Sequence, residues 1–317
     1  MERHSTPPVA IHPAVLESLP DAPATLTAAG MAYETLTDDT DARILIVGGS
    51  DVGPAQLDRA PRAELLVRAG IGMDRIDLAA AAERGITVVN TPGYGTNEVA
   101  DQALLLLLAC IRRLDWQRER AGADWPSITA EGVPRLADST VGLIGLGAIG
   151  RAMARRCRAL GCTVIAADPA LTPETAGSAE VTLVTLEELA ARSDIISLHA
   201  PLTTDTHHLV DAAFLARTRP HLTLINTARG ALVDTTALLA ALATDPLRTA
   251  GLDVLDGEPT PDLAPLRDHD RVIITPHLGW YSEGSRRQLG QLAAEAALDH
   301  LGAHNRRKPN ESRREST

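Results

Sequence analysis

Short apolar runs alternate along this chain with segments whose apolar positions recur at helical spacing. The runs Arg43–Gly49, Ala63–Arg68 and Ile86–Asn90 read as strands, and Leu78–Arg84, closed by Gly85, reads as a helix between the last two. A helix over Pro13–Leu19 precedes them, and residues 1–13 read as a frayed start. Further along, Thr140–Ile144, Thr163–Ala167, Asp194–His199, Leu222–Asn226, Thr249–Val254 and Arg271–Thr275 read as strands. Helices are expected over Leu186–Ala191, Asp211–Arg217, Thr236–Ala243 and Ser282–Leu301. Strands that alternate with helices in this way indicate parallel α/β sheets. The longest helix is expected over Asn97–Leu114, with Asn97 as its N-cap. Its middle is apolar nearly all round, so its own domain or a second subunit must bury most of it. Residues 115–139, with Trp116 and Trp125, read as a polar excursion, and His304–Thr317 as a basic, disordered tail.

One run ends in a glycine fingerprint. Thr140–Ile144 leads into Gly145-Leu146-Gly147-Ala148-Ile149-Gly150, and good helix formers follow. In a strand–turn–helix of this kind Gly145 makes the turn, Gly147 admits a pyrophosphate and Gly150 lets helix pack on strand. The helix N-terminus then offers N–H groups and a positive dipole end to the phosphates. The next strand ends in Asp168, eighteen residues past Gly150, where an acid can take the ribose hydroxyls. Pro169 and Ala170 follow it, with no arginine to accept a 2′-phosphate, so NAD is expected rather than NADP.

Length and charge narrow the rest. The chain has 317 residues and a net charge of −11, which suggests two domains and argues against nucleic acid or an anionic membrane as partner. No secretory leader is visible, and the longest purely apolar run, Ala103–Ile111, is too short to cross a bilayer, so a cytoplasmic protein is expected. Cys110, Cys157 and Cys162 are sparse and odd in number, and read as reduced, buried thiols. No Cys/His cluster has zinc spacing, so no metal is expected.

In an open α/β sheet ligands bind past the carboxyl ends of the strands. Arg229 follows the strand ending at Asn226, Glu258 follows the one ending at Val254, and His277 follows the one ending at Thr275. A guanidinium, a carboxylate and an imidazole gathered there suit hydride chemistry on a 2-oxo acid. The guanidinium holds the carboxylate, the imidazole gives a proton to the oxygen as hydride reaches carbon, and the acid orients the imidazole. His199, past another strand end, is equally suited to a structural role. In the first ninety residues, Arg68-Ala69-Gly70-Ile71-Gly72 exposes backbone N–H groups that can nest a carboxylate.

These motifs together resemble the D-isomer-specific 2-hydroxyacid dehydrogenases. The resemblance runs from about Arg43 to Leu301. It rests on Val67–Asp77, Gly142–Gly150, His199-Ala200-Pro201-Leu202-Thr203, Asn226-Thr227-Ala228-Arg229-Gly230, Gly257-Glu258-Pro259 and Thr275-Pro276-His277. Asn90–Gly95 and Trp280-Tyr281-Ser282-Glu283 are most similar to the C-terminal-binding-protein branch, which includes NAD(H)-binding corepressors as well as bacterial enzymes. The resemblance implies two Rossmann-like parallel-sheet domains: a discontinuous, flavodoxin-like substrate domain over 1–96 and 282–317, and an NAD-binding domain over 97–281. It implies an oxidoreductase acting on CH–OH groups with NAD, with Arg229, Glu258 and His277 catalytic. It adds Pro169, His199, Pro201, Thr206, Thr227, Ala228, Asp253 and His277 to the Gly145–Gly150 loop and Asp168 as cofactor contacts. It gives Gly70, Ile71, Gly72, Arg229 and Trp280 to a small 2-oxo or 2-hydroxy acid, and implies a homodimer through the NAD-binding domain. Arg75 and Met73 depart from the family's usual Asn and aromatic. Glu258 argues against formate, and the Gly48–Asp51 loop lacks the arginine of phosphoglycerate dehydrogenases. Trp280 adds an apolar wall, so a 2-oxo acid with an apolar or thioether side chain is expected. The second functional reading is an NAD(H)-responsive binding protein with weak or no turnover.

Overall fold

In a computed structural model, which describes residues 7–37, 39–121, 132–172, 174–175, 181–246, 248–258, 264–267 and 269–307, the chain divides into two compact units. One comprises residues 1–94 with 282–317, the other residues 95–281. Each is built on a parallel sheet.

The first unit orders its strands β2-β1-β3-β4-β5, with β1 Val9–Ile11, β2 Tyr33–Thr35, β3 Ile44–Val47, β4 Leu65–Arg68 and β5 Thr87–Asn90. This corrects the expectation of a frayed start: Val9, Ala10 and Ile11 are fully buried and pair with β2 on one side and β3 on the other. Three residues behind two prolines carry no period, so burial rather than pattern makes them a strand. Helices α1 (Pro13–Ser18), α2 (Asp21–Ala28), α3 (Pro54–Asp58) and α4 (Leu78–Glu83) belong to this unit; α4 is N-capped by the Asp77 carboxylate, which accepts from Ala80 N at 2.9 Å.

The second unit's strands are β6 Thr140–Ile144, β7 Thr163–Ala167, β8 Thr182–Leu183, β9 Ile195–Leu198, β10 Thr223–Asn226, β11 Thr249–Leu252 and β12 Val272–Ile274, in the order β12-β11-β10-β9-β6-β7-β8. The order reverses between β6 and β9, the switch point at which doubly wound sheets bind dinucleotides. Its helices are α5 (Thr96–Ile111), α6 (Leu114–Arg120), α7 (Ala148–Ala159), α8 (Leu186–Arg192), α9 (Ala212–Arg217), α10 (Thr235–Thr244) and α11 (Ala264–Arg267). Two apolar cores cover the two sheet faces. Val141, Leu143, Ile195 and Ile225 face α5 and α7 residues such as Leu107 and Met153, while Ile144, Ile196 and Leu224 join Leu189, Phe214 and Leu238. Burial on both faces is why these strands read as unbroken apolar runs.

Two helix expectations change. The long helix starts at Thr96 with Gly95 as N-cap and no side-chain cap, so Asn97 lies in its first turn. It ends at Ile111, and Arg113, at φ 52°, turns the chain into α6, so the expected irregular stretch opens as a helix. Trp116 lies there with the Arg120 guanidinium 4.6 Å above its ring; Trp125 falls outside the described residues. On α5, Ala100, Ala103 and Leu107 are buried against its own unit, but Leu105 is 55% exposed. In the first unit, α12 (Glu283–Arg307) packs on α2, β3 and β4, and Leu289, Ala293, Ala297 and Leu301, at a four-residue spacing, form its buried face. It therefore extends through the first residues of the expected tail, and 308–317 lie outside the described residues. Among the described residues no helix is long and apolar enough to cross a membrane.

Candidate active site

The glycine loop sits at the switch point. Gly145 has φ 91°, and a Cβ there would lie 2.7 Å from the His199 carbonyl carbon beyond β9. At Gly150 a Cβ would meet the Gly145 carbonyl oxygen at 2.3 Å, so α7 reaches the turn only without a side chain. Gly147, the N-cap of α7, has open space where its Cβ would be and provides no side-chain cap. In contrast, α8, α9 and α10 are capped by Thr185, Asp211 and Asp234. The first N–H groups of α7, including those of Ala148 and Ile149, are thus available to an anion.

Asp168, at the end of β7, turns into this loop. Its Oδ2 accepts from Leu146 N at 2.8 Å and its Oδ1 from Ala170 N at 3.0 Å, across Pro169. Both bonds fix the carboxylate at the mouth of the loop. His199 bonds Ser197 Oγ through Nε2 at 3.0 Å, while its buried Nδ1 has no partner among the described residues. Burial pushes its pKa down to about 4, so the ring is neutral at pH 7. The buried Thr227 Oγ1 likewise has no hydrogen-bond partner among the described residues. Orphaned polar atoms past β9, beside the strand of the glycine loop, and past β10, one strand further on, fit a polar ligand such as NAD. Thr206 Oγ1 donates to Pro201 O at 2.7 Å and accepts from Thr203 N at 2.8 Å, bracing its own turn.

Parallel register aligns Asn226, Leu252 and Ile274 on β10, β11 and β12. The loops that follow carry Arg229, Glu258 and His277. Asn226 clamps the first loop: its Nδ2 donates to Arg229 O at 2.8 Å and its Oδ1 accepts from Ala228 N at 3.0 Å. Arg229 Nη1 donates to Ala228 O at 2.7 Å. Gly230 follows directly, and a Cβ there would sit 1.9 Å from the Leu255 carbonyl carbon. The Arg229 loop therefore lies flat on the chain leading to Glu258. Glu258 accepts from Leu255 N at 2.9 Å through Oε1 and pairs with His277 Nδ1 through Oε2 at 2.5 Å. Pro259, which completes the Gly257-Glu258-Pro259 motif, lies outside the described residues.

His277 holds φ 55°, a left-handed conformation rare without glycine. Its N–H is shared between Asp253 O at 2.8 Å and Thr275 O at 3.0 Å. The Asp253 side chain is 2% exposed. Its Oδ1 accepts from Thr275 Oγ1 at 2.5 Å and Leu278 N at 3.1 Å, and its Oδ2 accepts from Gly279 N at 2.8 Å. This carboxylate, expected as a cofactor contact, accepts three hydrogen bonds from the loop that carries the imidazole. Asn226 and Thr275 stand in motifs at strand ends but receive no role of their own from the sequence, and Gln102 is not singled out by it. Trp280 is half-buried, edge-on to Tyr281 with ring centroids 5.6 Å apart.

In the first unit the expected carboxylate nest is tightly held. Gly70 N donates to Thr91 Oγ1 at 2.8 Å, Asn90 Nδ2 to Ile71 O at 2.8 Å, and Arg68 Nε to Gly72 O at 3.2 Å, with Arg68 Nη1 on Ala69 O. The Gly48–Asp51 loop has no arginine of its own, yet Arg75 reaches it: Nη1 donates to Gly49 O at 3.2 Å and lies 3.8 Å from the Asp51 carboxylate. Among the described residues no group of three or more His, Cys, Asp and Glu could hold a metal ion.

Comparison with known proteins gives the family of the chain. Residues 104–279 match the model of the D-isomer specific 2-hydroxyacid dehydrogenase, NAD binding domain. D-3-phosphoglycerate dehydrogenase of Mycobacterium tuberculosis is 38% identical over 257 residues, covering 80% of this chain and 48% of that protein. The chain thus spans about half the length of that relative. Glyoxylate reductase of Thermococcus litoralis is 35% identical over 269 residues, 81% of this chain and 79% of that one. Among solved structures, D-lactate dehydrogenase of Aquifex aeolicus, complexed with NAD and lactic acid, superposes with a TM-score of 0.85 at 26% identity, covering 94% of this chain and 96% of that one. The chain belongs to the D-isomer-specific 2-hydroxyacid dehydrogenase family and carries its NAD-binding domain.

Proposed function

We propose that this chain is an NAD-dependent D-2-hydroxyacid dehydrogenase, interconverting a small 2-oxo acid and its D-2-hydroxy acid. The observation that carries this reading is the 2.5 Å pair between His277 Nδ1 and Glu258 Oε2, beside the Arg229 loop on adjoining strand ends. With Nδ1 engaged, Nε2 is the ring atom that gives its proton to the carbonyl oxygen in reduction and takes it back in oxidation. Arg229 anchors the substrate carboxylate by its guanidinium fork. In the first unit Gly70 N is committed to Thr91 Oγ1, so the N–H groups of Ile71 and Gly72 are the ones that would meet a substrate carboxylate.

Bound NAD supplies the hydride acceptor and, reduced, the donor. The Gly145–Gly150 loop and the α7 N-terminus would hold its pyrophosphate and Asp168 its ribose, with Pro169, His199, Pro201, Thr206, Thr227 and Ala228 lining the same strand ends. Asp253 acts on this site through the His277 loop. Trp280 supports a substrate with an apolar or thioether side chain, and the Asp51 carboxylate beside Arg75 disfavours a phosphorylated one. NADH oxidation over a panel of 2-oxo acids, including glyoxylate, hydroxypyruvate, pyruvate, apolar homologues and a phosphorylated acid, tests the reading. Turnover with a D-configured product is expected; no turnover of any acid with NADH bound would overturn it.

The exposed Leu105 on α5 supports a homodimer through the NAD-binding unit, which sedimentation of the wild type against Leu105→Glu checks. A cytoplasmic location is part of the same reading. The Trp280-Tyr281-Ser282-Glu283 match, with Tyr281 47% exposed, favours as a second reading a C-terminal-binding-protein-like role; its mark would be NADH-dependent partner capture without turnover.

A further inference from the structure

The His277 loop is fastened from an unexpected side. Gln102, on the second turn of α5, donates from Nε2 to Thr275 Oγ1 at 2.9 Å, across 173 positions of sequence. Thr275 Oγ1 donates in turn to Asp253 Oδ1 at 2.5 Å. The direction is fixed by chemistry. An ionised carboxylate only accepts, so the Thr275 proton points to Asp253 and its lone pair faces the Gln102 amide. Asp253 also accepts from the N–H groups of Leu278, through Oδ1, and Gly279, through Oδ2, the two residues just past the imidazole. Little room separates Gln102 from the loop past the imidazole: a Cβ added at Gly279 would come within 3.4 Å of Gln102 Cγ and 2.8 Å of Asp253 Oδ2.

The loop thus has anchors on both sides of His277, Thr275 before it and Leu278 and Gly279 after it, all meeting at one buried carboxylate. The residue between them holds φ 55°. A left-handed histidine persists only where its neighbours over-determine it. We infer that Gln102 and Thr275 are positioning residues for His277: α5, through the Gln102–Thr275–Asp253 relay, sets where the imidazole sits relative to Glu258. The role of His277 as proton donor comes from the function proposed above; the relay itself is a statement about loop order.

Two readouts separate the relay from that function. The first is amide hydrogen exchange of the full-length protein, with and without NADH, comparing wild type, Gln102→Met, Thr275→Val and Thr275→Ser. Gln102→Met keeps the stem and loses the donor; Thr275→Val keeps the shape and loses the hydroxyl. Both should speed exchange over 275–281 about tenfold, with β6 and α7 unchanged, while Thr275→Ser stays near wild type. The second is turnover of the best acid from the panel. Gln102→Met and Thr275→Val should each lower kcat about tenfold or more with the NADH Kd held within about twofold, and Thr275→Ser should restore kcat. The double variant Gln102→Met/Thr275→Val should be no worse than Thr275→Val alone, because one residue acts through the other. Wild-type exchange in Gln102→Met, or effects that multiply in the double variant, would overturn the relay. A wild type without turnover but with the exchange pattern intact would overturn the function and leave the relay standing.

Discussion

Gly230 is where the two loops of the candidate site press together, and Gly230→Ala probes that contact. The new Cβ would start 1.9 Å from the Leu255 carbonyl carbon, 2.1 Å from its oxygen and 2.2 Å from Asp256 N. All three are backbone atoms, so no side chain can swing aside. Reaching ordinary contact at 3.4 Å requires the two chains to part by about 1.5 Å. Leu255 N holds Glu258 Oε1, so the displacement passes straight to the carboxylate that pairs with His277. Misplacement of a catalytic group by about 1 Å can cost about a hundredfold, and overpacking typically costs about 1–3 kcal/mol of stability. The expected result is a kcat/KM lowered about a hundredfold, a melting temperature lowered by about 2–10 °C, and NADH affinity changed less than about threefold. Steady-state turnover, thermal unfolding and NADH fluorescence titration on one preparation supply all three. A Gly230→Ala protein with wild-type kcat/KM would refute the coupling of the two loops.

Three further outcomes follow from individual contacts. Gly150→Ala puts a Cβ 2.3 Å from the Gly145 carbonyl oxygen, so NADH titration should show binding weakened about tenfold or more, with an unchanged affinity counting against the loop as the cofactor's seat. Burial pushes the Cys110 and Cys157 thiols up to about 12 and raises Cys162, so a thiol reagent at pH 8 should label the folded protein slowly and all three cysteines after denaturation; fast stoichiometric labelling of native protein would contradict this. His199 titrates near 6.5 when unfolded and about 4 when folded, so below pH 6.5 the unfolded chain binds the extra proton. Its contribution is full above pH 6.5 and is lost as pH falls towards 4, by at most about 3 kcal/mol. Urea unfolding of wild type and His199→Gln across pH 4–7.5 should show the shallower dependence in the variant, and equal slopes would refute it.

What the residue pattern revealed depends on how far each interaction reaches along the chain. Strands such as Ile44–Val47 are covered on both faces, so four apolar residues in a row announce them, and Ile195–Leu198 shows the same pattern broken only by the buried Ser197. Strands β1, β2 and β8 have two or three residues, too few for any period, and only pairing with a neighbour defines them. The chain's halt at Arg113 was hidden for a similar reason: a left-handed arginine carries no glycine to mark the break. Arg229, Glu258 and His277 were visible because sheet topology sends every strand end to one edge. Their supports were not. Asn226 looks like a strand's last residue and Gln102 like one polar position on an apolar helix, and nothing in the sequence ties Asp253 to the His277 loop; only the folded chain brings Gln102 to Thr275.

The central claim, that His277 moves the proton while the chain binds NAD, is tested most directly on His277→Asn beside the wild type, assaying NADH oxidation with the best 2-oxo acid and NADH binding on the same samples. Loss of the proton donor should lower kcat/KM about 10²- to 10⁴-fold with NADH affinity held within about twofold. A His277→Asn protein that turns the acid over within about threefold of wild type would contradict it.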